Sequence, residues 1–297
     1  MIYTLGCSFT KWHWPTWSDW LEAYSDQPVT NWAYPGFTNE LIYQTLLANL
    51  DNIKPTDHVY IMWTGNNRAC NWYDQEWIEQ HQCHGFFPDQ SSRLWLMSNR
   101  PWQGLYKTHP DYLPSQTHMI VNNFTIMFNT QLLLKNIGCR YTMMFWQNPW
   151  LDTRETFKPS FSTAWDLKQH ITSAEVERAK TIMSMPTVSQ ILKHMDWNNF
   201  VDAPADIGRP EQYQGIWEFG LSRPEFLDCN HATDHHPNTL THHEWLTNKM
   251  LVGNSQHKAR AYDLALTAKT LDIPNWSGTD AITGHERILN KFPLKTA

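Results

Sequence analysis

The sequence predicts an α/β fold in which helices flank a parallel sheet of about five strands. Short apolar runs alternate with segments whose apolar residues recur at helical spacing, beginning as strand, helix, strand, helix, strand over residues 2–63. This alternation indicates right-handed βαβ units, whose strands lie parallel in one sheet. The length of 297 residues suits one domain with a large buried core. We therefore expect a single domain over 1–297.

The elements of the first half follow from local patterns. Strands are predicted where short apolar runs stand, at 2–5, 29–33 and 58–63. Helices are predicted at 15–24, which has a proline at its start, and at 39–50. Both helical segments carry apolar residues three and four positions apart, which is the spacing of one buried face.

The second half continues the alternation. A long helix over 118–136 is followed by Gly138, which favours the left-handed backbone of a helix end, and then by a strand at 140–145. A capping-box pattern opens a helical segment over 172–195, which Pro186 interrupts. The remaining predicted elements are a strand near 200–201, helices at about 239–252 and 256–271, and a surface strap at the end.

Two long segments interrupt this pattern and are predicted to be insertions. The segment over about 69–117 is rich in Trp, Gln, His and Pro and has few periodic runs, while its aromatic content disfavours disorder. The second segment, irregular and partly helical, spans about 148–228. We expect both to decorate the edge of the sheet at which the strands end.

Composition excludes several classes of function. The net charge of −6 provides no basic surface, so nucleic acid is not an expected partner. No apolar run is long enough for a membrane span, and no basic and apolar leader precedes the first strand. We therefore expect synthesis in the cytoplasm without a signal peptide.

Cysteines and aromatic residues bear on cofactors and ligands. The 5 cysteines are scattered without a C-x-x-C pair, so we expect free thiols, no metal bound by them and no cofactor. The 17 Trp, 11 Tyr and 13 Phe are either large core side chains or flat platforms for a ligand. The sequence leaves these two interpretations open.

Candidate functional residues fall where the predicted strands end. Ser8 follows the first strand, Gly36 the second and Asn67 the third, and His236 lies in a histidine cluster further along. The carboxyl ends of parallel strands meet at one edge, where open α/β sheets hold their sites. A serine needs a base within hydrogen-bond reach to act as a nucleophile, and His236, or alternatively His235, is the candidate. The plainer alternatives are a helix cap for Ser8 and turn roles for Gly36 and Asn67.

Four sequence blocks surround these residues: Gly6-Cys7-Ser8-Phe9-Thr10, Pro35-Gly36-Phe37-Thr38-Asn39, Gly65-Asn66-Asn67 and Asp234-His235-His236-Pro237-Asn238. Together they resemble the blocks of the SGNH (GDSL-like) hydrolase family, over residues 1 to about 250. Cys7 and Arg68 stand where aspartate is common in that family. The last block has the form D-x-H-P, whereas D-x-x-H-P is the commoner spacing. The resemblance implies a three-layer flavodoxin-like fold.

The resemblance also implies ester hydrolysis through an acyl-enzyme. In this mechanism Ser8 attacks the carbonyl, His236 transfers the proton and Asp234 orients His236. The oxyanion would be held by the N–H groups of Ser8 and Gly36 and by the side-chain amide of Asn67. Elementary chemistry supports the same roles, because donors aimed at the developing negative charge lower the barrier.

The aromatic insertions suggest a substrate with flat apolar faces, and sugar rings satisfy that description. We therefore expect an acylated carbohydrate as the substrate, with a lipid-like ester as the second candidate. Association with a virion, or with further copies of the chain, is an additional hypothesis. The main candidates for substrate-binding residues are Trp72, Trp95, Trp102 and Trp150.

Two other functions remain open. The first is a non-catalytic glycan-binding or structural protein that reuses the same fold, since fold does not determine function. The second is a metal-dependent hydrolase, because imidazole and carboxylate groups that suit a divalent metal cluster at His231, Asp234, His235 and His236. His242 and His243 are expected on the surface or on a helix face.

Overall fold

The computed structural model describes residues 1–12, 16–25, 27–66, 69–74, 88–89, 94–99, 114–151, 172–221, 236–237 and 239–250. For the strands between 69 and 99 it describes the backbone alone. The predicted helix at 256–271 and the strap that follows it lie outside these ranges.

The described strands and helices alternate over residues 2–63, and three further strands follow before the next described α-helix. The strands are β1 (Ile2–Leu5), β2 (Val29–Asn31), β3 (His58–Trp63), β4 (Ala69–Asp74), β5 (Pro88–Asp89), β6 (Leu94–Asn99) and β7 (Arg140–Phe145). The helices are α1 (Trp17–Tyr24), α2 (Asn39–Ala48), α3 (Gln116–Ile137), α4 (Ser173–Met183), α5 (Pro186–His194), α6 (Ile216–Leu221) and α7 (Thr239–Lys249). Short 3₁₀ helices stand at Leu50–Asn52, Trp197–Asn199 and Pro210–Gln212.

Four strands form one parallel sheet in the order β2-β1-β3-β7. Ile2 pairs with Val29 on one side and with His58 on the other, and His58 pairs in turn with Arg140. β1 is buried along its whole length, which explains its apolar sequence, because a strand covered on both faces has no polar side. The predicted α/β class with a parallel sheet is confirmed.

The predicted strand near 200–201 is a single bridge. Phe200 pairs with Met143 in parallel, and the Val201 N–H donates to the Met143 carbonyl at 2.9 Å. Asp202 follows with a φ of 57°, in the left-handed region that interrupts extended backbone. The described part of the main sheet therefore has 4 strands.

Helices cover both faces of this sheet. Thr4 faces α1, because its hydroxyl lies 2.7 Å from the hydroxyl of Ser18. The neighbouring Tyr3 donates its O–H to the Asn52 carbonyl, which follows α2, at 2.8 Å. Since successive side chains of a strand point to opposite faces, α1 and α2 lie on opposite sides of the sheet. α7 packs beside α1, and α3 packs against α2 and α5.

Three local signals of the second half are confirmed. α3 is followed by Gly138, whose φ of 79° is the left-handed helix end that glycine favours. Thr172 and Glu175 form the capping box: the Glu175 carboxylate accepts from the Thr172 N–H at 2.7 Å, and the Thr172 hydroxyl accepts from the Glu175 N–H at 3.2 Å. Pro186 opens α5 and separates it from α4.

The first insertion is more regular than predicted. β4, β6 and β5 form a separate antiparallel sheet in that order, with Ala69 opposite Asn99 and Pro88 opposite Trp95. The weak periodicity of 69–117 did not predict these strands. Cross-strand pairing stabilises such strands, and local periodicity does not reveal it. In the second insertion, α6 is a helix that the pattern did not predict.

Tryptophan side chains fill much of the core. The largest fully buried side chains include Trp17, Trp20, Trp63, Trp146, Trp150 and Trp245. For these residues the core interpretation holds. Cys7 and Cys139 are buried free thiols, as predicted for cysteines in this chain. Within the described ranges, no helix combines the length and the apolar character needed to cross a membrane.

Candidate active site

The turn that follows β1 carries Ser8. The Cys7 carbonyl accepts hydrogen bonds from the N–H groups of Thr10 and Lys11 at 2.9 and 3.1 Å, so the chain turns sharply directly after Gly6. A Cβ on residue 6 would lie 2.0 Å from Thr10 Oγ1 and 2.8 Å from Thr10 Cβ. Only glycine therefore lets Thr10 fold back over the strand end. The turn holds Ser8 at the carboxyl end of β1.

Ser8 does not cap the first helix. The N-cap of α1 is Thr16, whose N–H donates to the carboxylate of Asp19 at 2.7 Å. The Thr16 hydroxyl donates to the same carboxylate at 3.0 Å, so the helix start is held without a contribution from Ser8. The plainer interpretation of Ser8 as a helix cap is therefore wrong.

Gly36 lies in a tight turn after β2. The Phe37 N–H donates to the Tyr34 carbonyl at 3.2 Å, and Gly36 has a φ of 92°. Proline at the second position and a glycine with positive φ at the third are the signature of a type II turn. The Tyr34 N–H also donates to the Gly6 carbonyl at 3.3 Å, which joins this turn to the one that carries Ser8.

The end of β3 is fixed by the second block. The Asn39 side chain accepts from the Thr64 N–H at 2.7 Å and donates to the Thr64 carbonyl at 3.1 Å, so it pairs with the backbone as a neighbouring strand would. Asn66 accepts from the Asn123 side chain at 2.6 Å and donates to the Pro149 carbonyl. Asn67 lies outside the described residues, and its oxyanion role stays a prediction.

His236 lies against Ser8. Its Nε2 is 2.6 Å from Ser8 Oγ, although the two residues are 228 positions apart in the chain. This distance is within the hydrogen-bond reach that proton transfer from serine to a base requires. Ser8 is 2% exposed, so its hydroxyl is shielded from bulk water, whereas His236 is partly buried. Asp234 and His235 lie outside the described residues.

Two aromatic rings hold the imidazole of His236, and sequence reasoning missed both. Trp12 stacks on it with ring centroids 4.0 Å apart and planes at 18°, and Phe9 packs at 4.9 Å. Aromatic faces attract a cation, so this contact favours the imidazolium that would form when His236 takes a proton. Phe9 also packs on Trp146 at 4.3 Å, which links the ends of β1 and β7.

Two further histidines, His242 and His243, belong to α7. His242 and His243 are both buried, so the expectation of a helix face holds and that of the surface does not. Burial, with a smaller effect of the nearby His236 charge, lowers the pKa of His242 to about 3, which keeps its ring neutral beside the candidate base. His243 Nε2 lies 2.8 Å from the Tyr24 hydroxyl.

Most of the candidate metal ligands lie outside the described residues. His231, Asp234 and His235 fall outside the described residues, and the remaining member, His236, has its Nε2 on Ser8. Among the residues that the structure describes, no three His, Cys, Asp or Glu side chains converge in a way that could hold a metal ion.

The chain that leaves β7 is fixed by buried polar groups. Asn148 donates its side-chain amide to the carbonyls of Pro210 and Tyr213 at 2.7 and 2.9 Å, and its Oδ1 accepts from the N–H groups of Trp150 and Leu151 at 2.8 and 3.1 Å. Every polar atom of this side chain is thus used within the protein. These bonds fix the chain from Asn148 to Leu151 at the edge of the sheet.

The tryptophans predicted to bind substrate have different outcomes. Trp150 is 2% exposed, and its ring stacks on Phe124 at 4.3 Å and meets Tyr213 edge-on at 5.8 Å. Since its faces pack on core rings, the prediction that Trp150 is an open platform is wrong. Trp72 pairs with Leu96 and Trp95 with Tyr73 in the antiparallel sheet, of which the backbone alone is described, and the remaining candidate, Trp102, lies outside the described ranges.

Glu218, in α6, is a partly buried acid that binds two backbone N–H groups, those of Asn148 at 2.9 Å and Gly215 at 2.8 Å. Burial raises the pKa of its carboxyl from 4.5 to about 7 and outweighs these donors, which favour the ionised form. The folded protein therefore binds this proton more tightly than the unfolded chain does. The contribution of Glu218 to stability is full below pH 4.5 and is lost as the pH rises through about 7.

We expect Glu218→Gln to flatten the pH dependence of stability. Between pH 5 and pH 8 the wild type should lose about 2.5 kcal/mol more unfolding free energy than the variant, measured by urea denaturation. Glu177→Gln is the matched control, because Glu177 is 70% exposed on α4, and it should keep the wild-type slope. Parallel curves for the wild type and Glu218→Gln would show that Glu218 does not titrate in this range.

No family model matches the chain, and no curated protein matches it.

Proposed function

We propose that the chain is a serine ester hydrolase in which Ser8 is the nucleophile and His236 the base. The observation that carries the proposal is the 2.6 Å distance between Ser8 Oγ and His236 Nε2. Three features support it: the turn that requires Gly6, the type II turn of Gly36 bonded to it, and the aromatic rings that hold the imidazole. A serine that only filled the core would need none of them.

We infer a flavodoxin-like topology for the fold. The parallel sheet has the strand order β2-β1-β3-β7. If β7 is counted as its fourth strand, the order is 2-1-3-4, and the bridge from Phe200 to Met143 adds a fifth position beside the fourth strand. This is the 2-1-3-4-5 order of the flavodoxin-like fold. Ligands of such sheets bind outside the carboxyl ends of the strands, which is where Ser8 lies.

The proposed reaction has two stages. His236 Nε2 takes the Ser8 proton as Oγ attacks the ester carbonyl, and the resulting imidazolium returns the proton to the departing alcohol, which leaves an acyl-serine. Water, deprotonated by the same imidazole, then releases the acid. The oxyanion is assigned to the N–H groups of Ser8 and Gly36 and the Asn67 amide, and the orienting role to Asp234. We propose an acylated carbohydrate as the substrate class.

A second candidate is a non-catalytic glycan-binding or structural protein. The 2% exposure of Ser8 favours it, because a nucleophile must admit a substrate carbonyl. Association with a virion or with further copies of the chain would suit such a protein and stays a proposal. A metal-dependent hydrolase is disfavoured, because His236 directs Nε2 to Ser8.

Labelling with a fluorophosphonate tests the proposal directly, since this reagent reacts with activated serines. We expect near-stoichiometric modification, located at Ser8 by peptide mass mapping and absent in Ser8→Ala. Ser18→Ala is the matched control, because Ser18 is also buried, on the β1 face, and bonds Thr4 at 2.7 Å; its labelling should equal that of the wild type. A folded wild type that remains unlabelled would favour the binding or structural protein.

A further inference from the structure

A small pocket lies at the ends of β3 and β7. It is lined by Asn66 after β3, by Gln116 at the start of α3 and by the segment from Gln147 to Leu151 after β7, with a cavity volume of about 10 Å³. This is enough room for one water-sized group. The described side chains that line it are neutral, so the pocket suits an uncharged group.

Gln147, which lines this pocket, has an unused polar atom. Gln147 is 3% exposed, and in the described part of the chain its buried Oε1 has no hydrogen-bond partner. The neighbouring Asn66 and Asn148 bond within the protein. Leaving a buried amide oxygen unsatisfied costs roughly 1 to 3 kcal/mol, so such a group in a native fold calls for an explanation.

The position of Gln147 relates it to the serine. A Cβ on Gly65 would lie 2.9 Å from Gln147 Nε2, so this side chain spans the ends of β3 and β7. Trp146, the residue before it, packs on Phe9, the residue after Ser8, at 4.3 Å. β3 lies between β1 and β7, and neighbouring strands are roughly 4.8 Å apart, so the pocket lies roughly 10 Å from Ser8. One esterified sugar unit can span this distance.

We propose that this pocket is a substrate subsite that takes a single hydroxyl of a neutral polyhydroxylated alcohol, with Gln147 Oε1 accepting its hydrogen bond. The inference rests on the proposed esterase function and adds how the alcohol part is recognised. A buried acceptor rejects an alcohol that lacks the matching donor, because its own hydrogen bond is then left unmade. The subsite therefore favours sugar esters over simple aryl or alkyl esters.

The test compares two acetate esters in wild type and Gln147→Leu: p-nitrophenyl acetate, whose alcohol has no further hydroxyl, and a monoacetylated methyl glucoside. We expect the ratio of kcat/KM for the sugar ester to that for the aryl ester to fall about tenfold in the variant, the effect of one lost hydrogen bond. An unchanged ratio would mean that the pocket holds water only and would overturn the proposal.

Thermal unfolding separates recognition from a structural role. Gln147→Leu should melt at or above the wild-type temperature, because no protein hydrogen bond to Oε1 is lost. Asn148→Leu, the matched control, should melt well below it, because four backbone bonds are lost. If Gln147→Leu melts as low as Asn148→Leu, the side chain is structural and the proposal fails.

Binding of methyl glucoside, followed by saturation-transfer NMR, separates this inference from the esterase proposal. If the wild type hydrolyses neither ester but binds the sugar, and Gln147→Leu does not, the subsite stands and the esterase function fails. If the wild type hydrolyses the aryl ester and the sugar neither binds nor reacts, the esterase stands and the subsite fails.

Discussion

Replacing Ser8 with alanine is expected to lower kcat for p-nitrophenyl acetate by roughly 10,000-fold or more, with a much smaller change in KM. The reason is that Oγ supplies the bond that forms, whereas little of the substrate's binding depends on it. His236→Gln should cause a loss of similar size, because the serine hydroxyl is a weak nucleophile without a base. The variants Ser8→Ala, His236→Gln and the double replacement are compared by steady-state kinetics.

The double variant gives the sharper result. Residues that act as one catalytic unit are strongly non-additive, so the double replacement should be no slower than either single one. Ser18→Ala, at a buried serine that bonds Thr4, should retain most of the wild-type activity. Activity retained by Ser8→Ala would contradict the mechanism, and multiplying losses in the double variant would show that Ser8 and His236 act independently.

The parts of the site that sequence predicted share one property: they follow strands that local pattern reveals. Ser8 and Gly36 stand directly after short apolar runs, and parallel strands bring their carboxyl ends together. The prediction that Ser8 contacts His236 needed one further argument: a serine at such a position needs a base in order to act as a nucleophile. Chemistry therefore suggested a contact between residues 228 positions apart, which no periodicity contains.

The roles of individual aromatic residues could not be predicted from the sequence. Trp150 and Trp12 are equally large and apolar in the sequence, yet Trp150 stacks on Phe124 in the core while Trp12 stacks on His236. Composition records how many rings there are, but each ring's partner is set by tertiary packing. A platform role assigned from ring type alone was therefore wrong for Trp150, and the role of Trp12 was missed.

Buried polar groups are missed for a related reason. Glu218 belongs to a helix of 6 residues, and in sequence a lone glutamate in such a short element resembles a solvated surface charge. Its structural importance comes from the N–H groups of Asn148 and Gly215, which the fold delivers to it. The sequence does not reveal the importance of Gly215 either. Glycine is required there because the backbone of residues 145–147 approaches it closely, and not because Gly215 forms a turn.

Replacing Gly215 with alanine is expected to destabilise the protein by about 3 kcal/mol or more, measured by urea denaturation. The new Cβ would lie 2.4 Å from the Phe145 carbonyl oxygen, 2.5 Å from the carbonyl carbon of Trp146 and 2.6 Å from the Gln147 nitrogen. All three are backbone atoms, so no side-chain rotation relieves the overlap. Gly208→Ala is the matched control, because its Cβ would meet only the Asp206 carboxylate, at 3.2 Å, and should cost little.

The loss of stability in Gly215→Ala should be cooperative, because several hydrogen bonds depend on the close contact between Gly215 and residues 145–147. The Trp217 N–H donates to the Trp146 carbonyl at 2.9 Å, and Glu218 bonds Asn148 on the same stretch of chain, so moving α6 outward strains both. The displaced segment includes Trp146, which packs on Phe9 beside Ser8. At temperatures where Gly215→Ala remains folded, we therefore expect a lower rate of ester hydrolysis as well. Wild-type stability in this variant would mean that α6 does not approach β7 this closely.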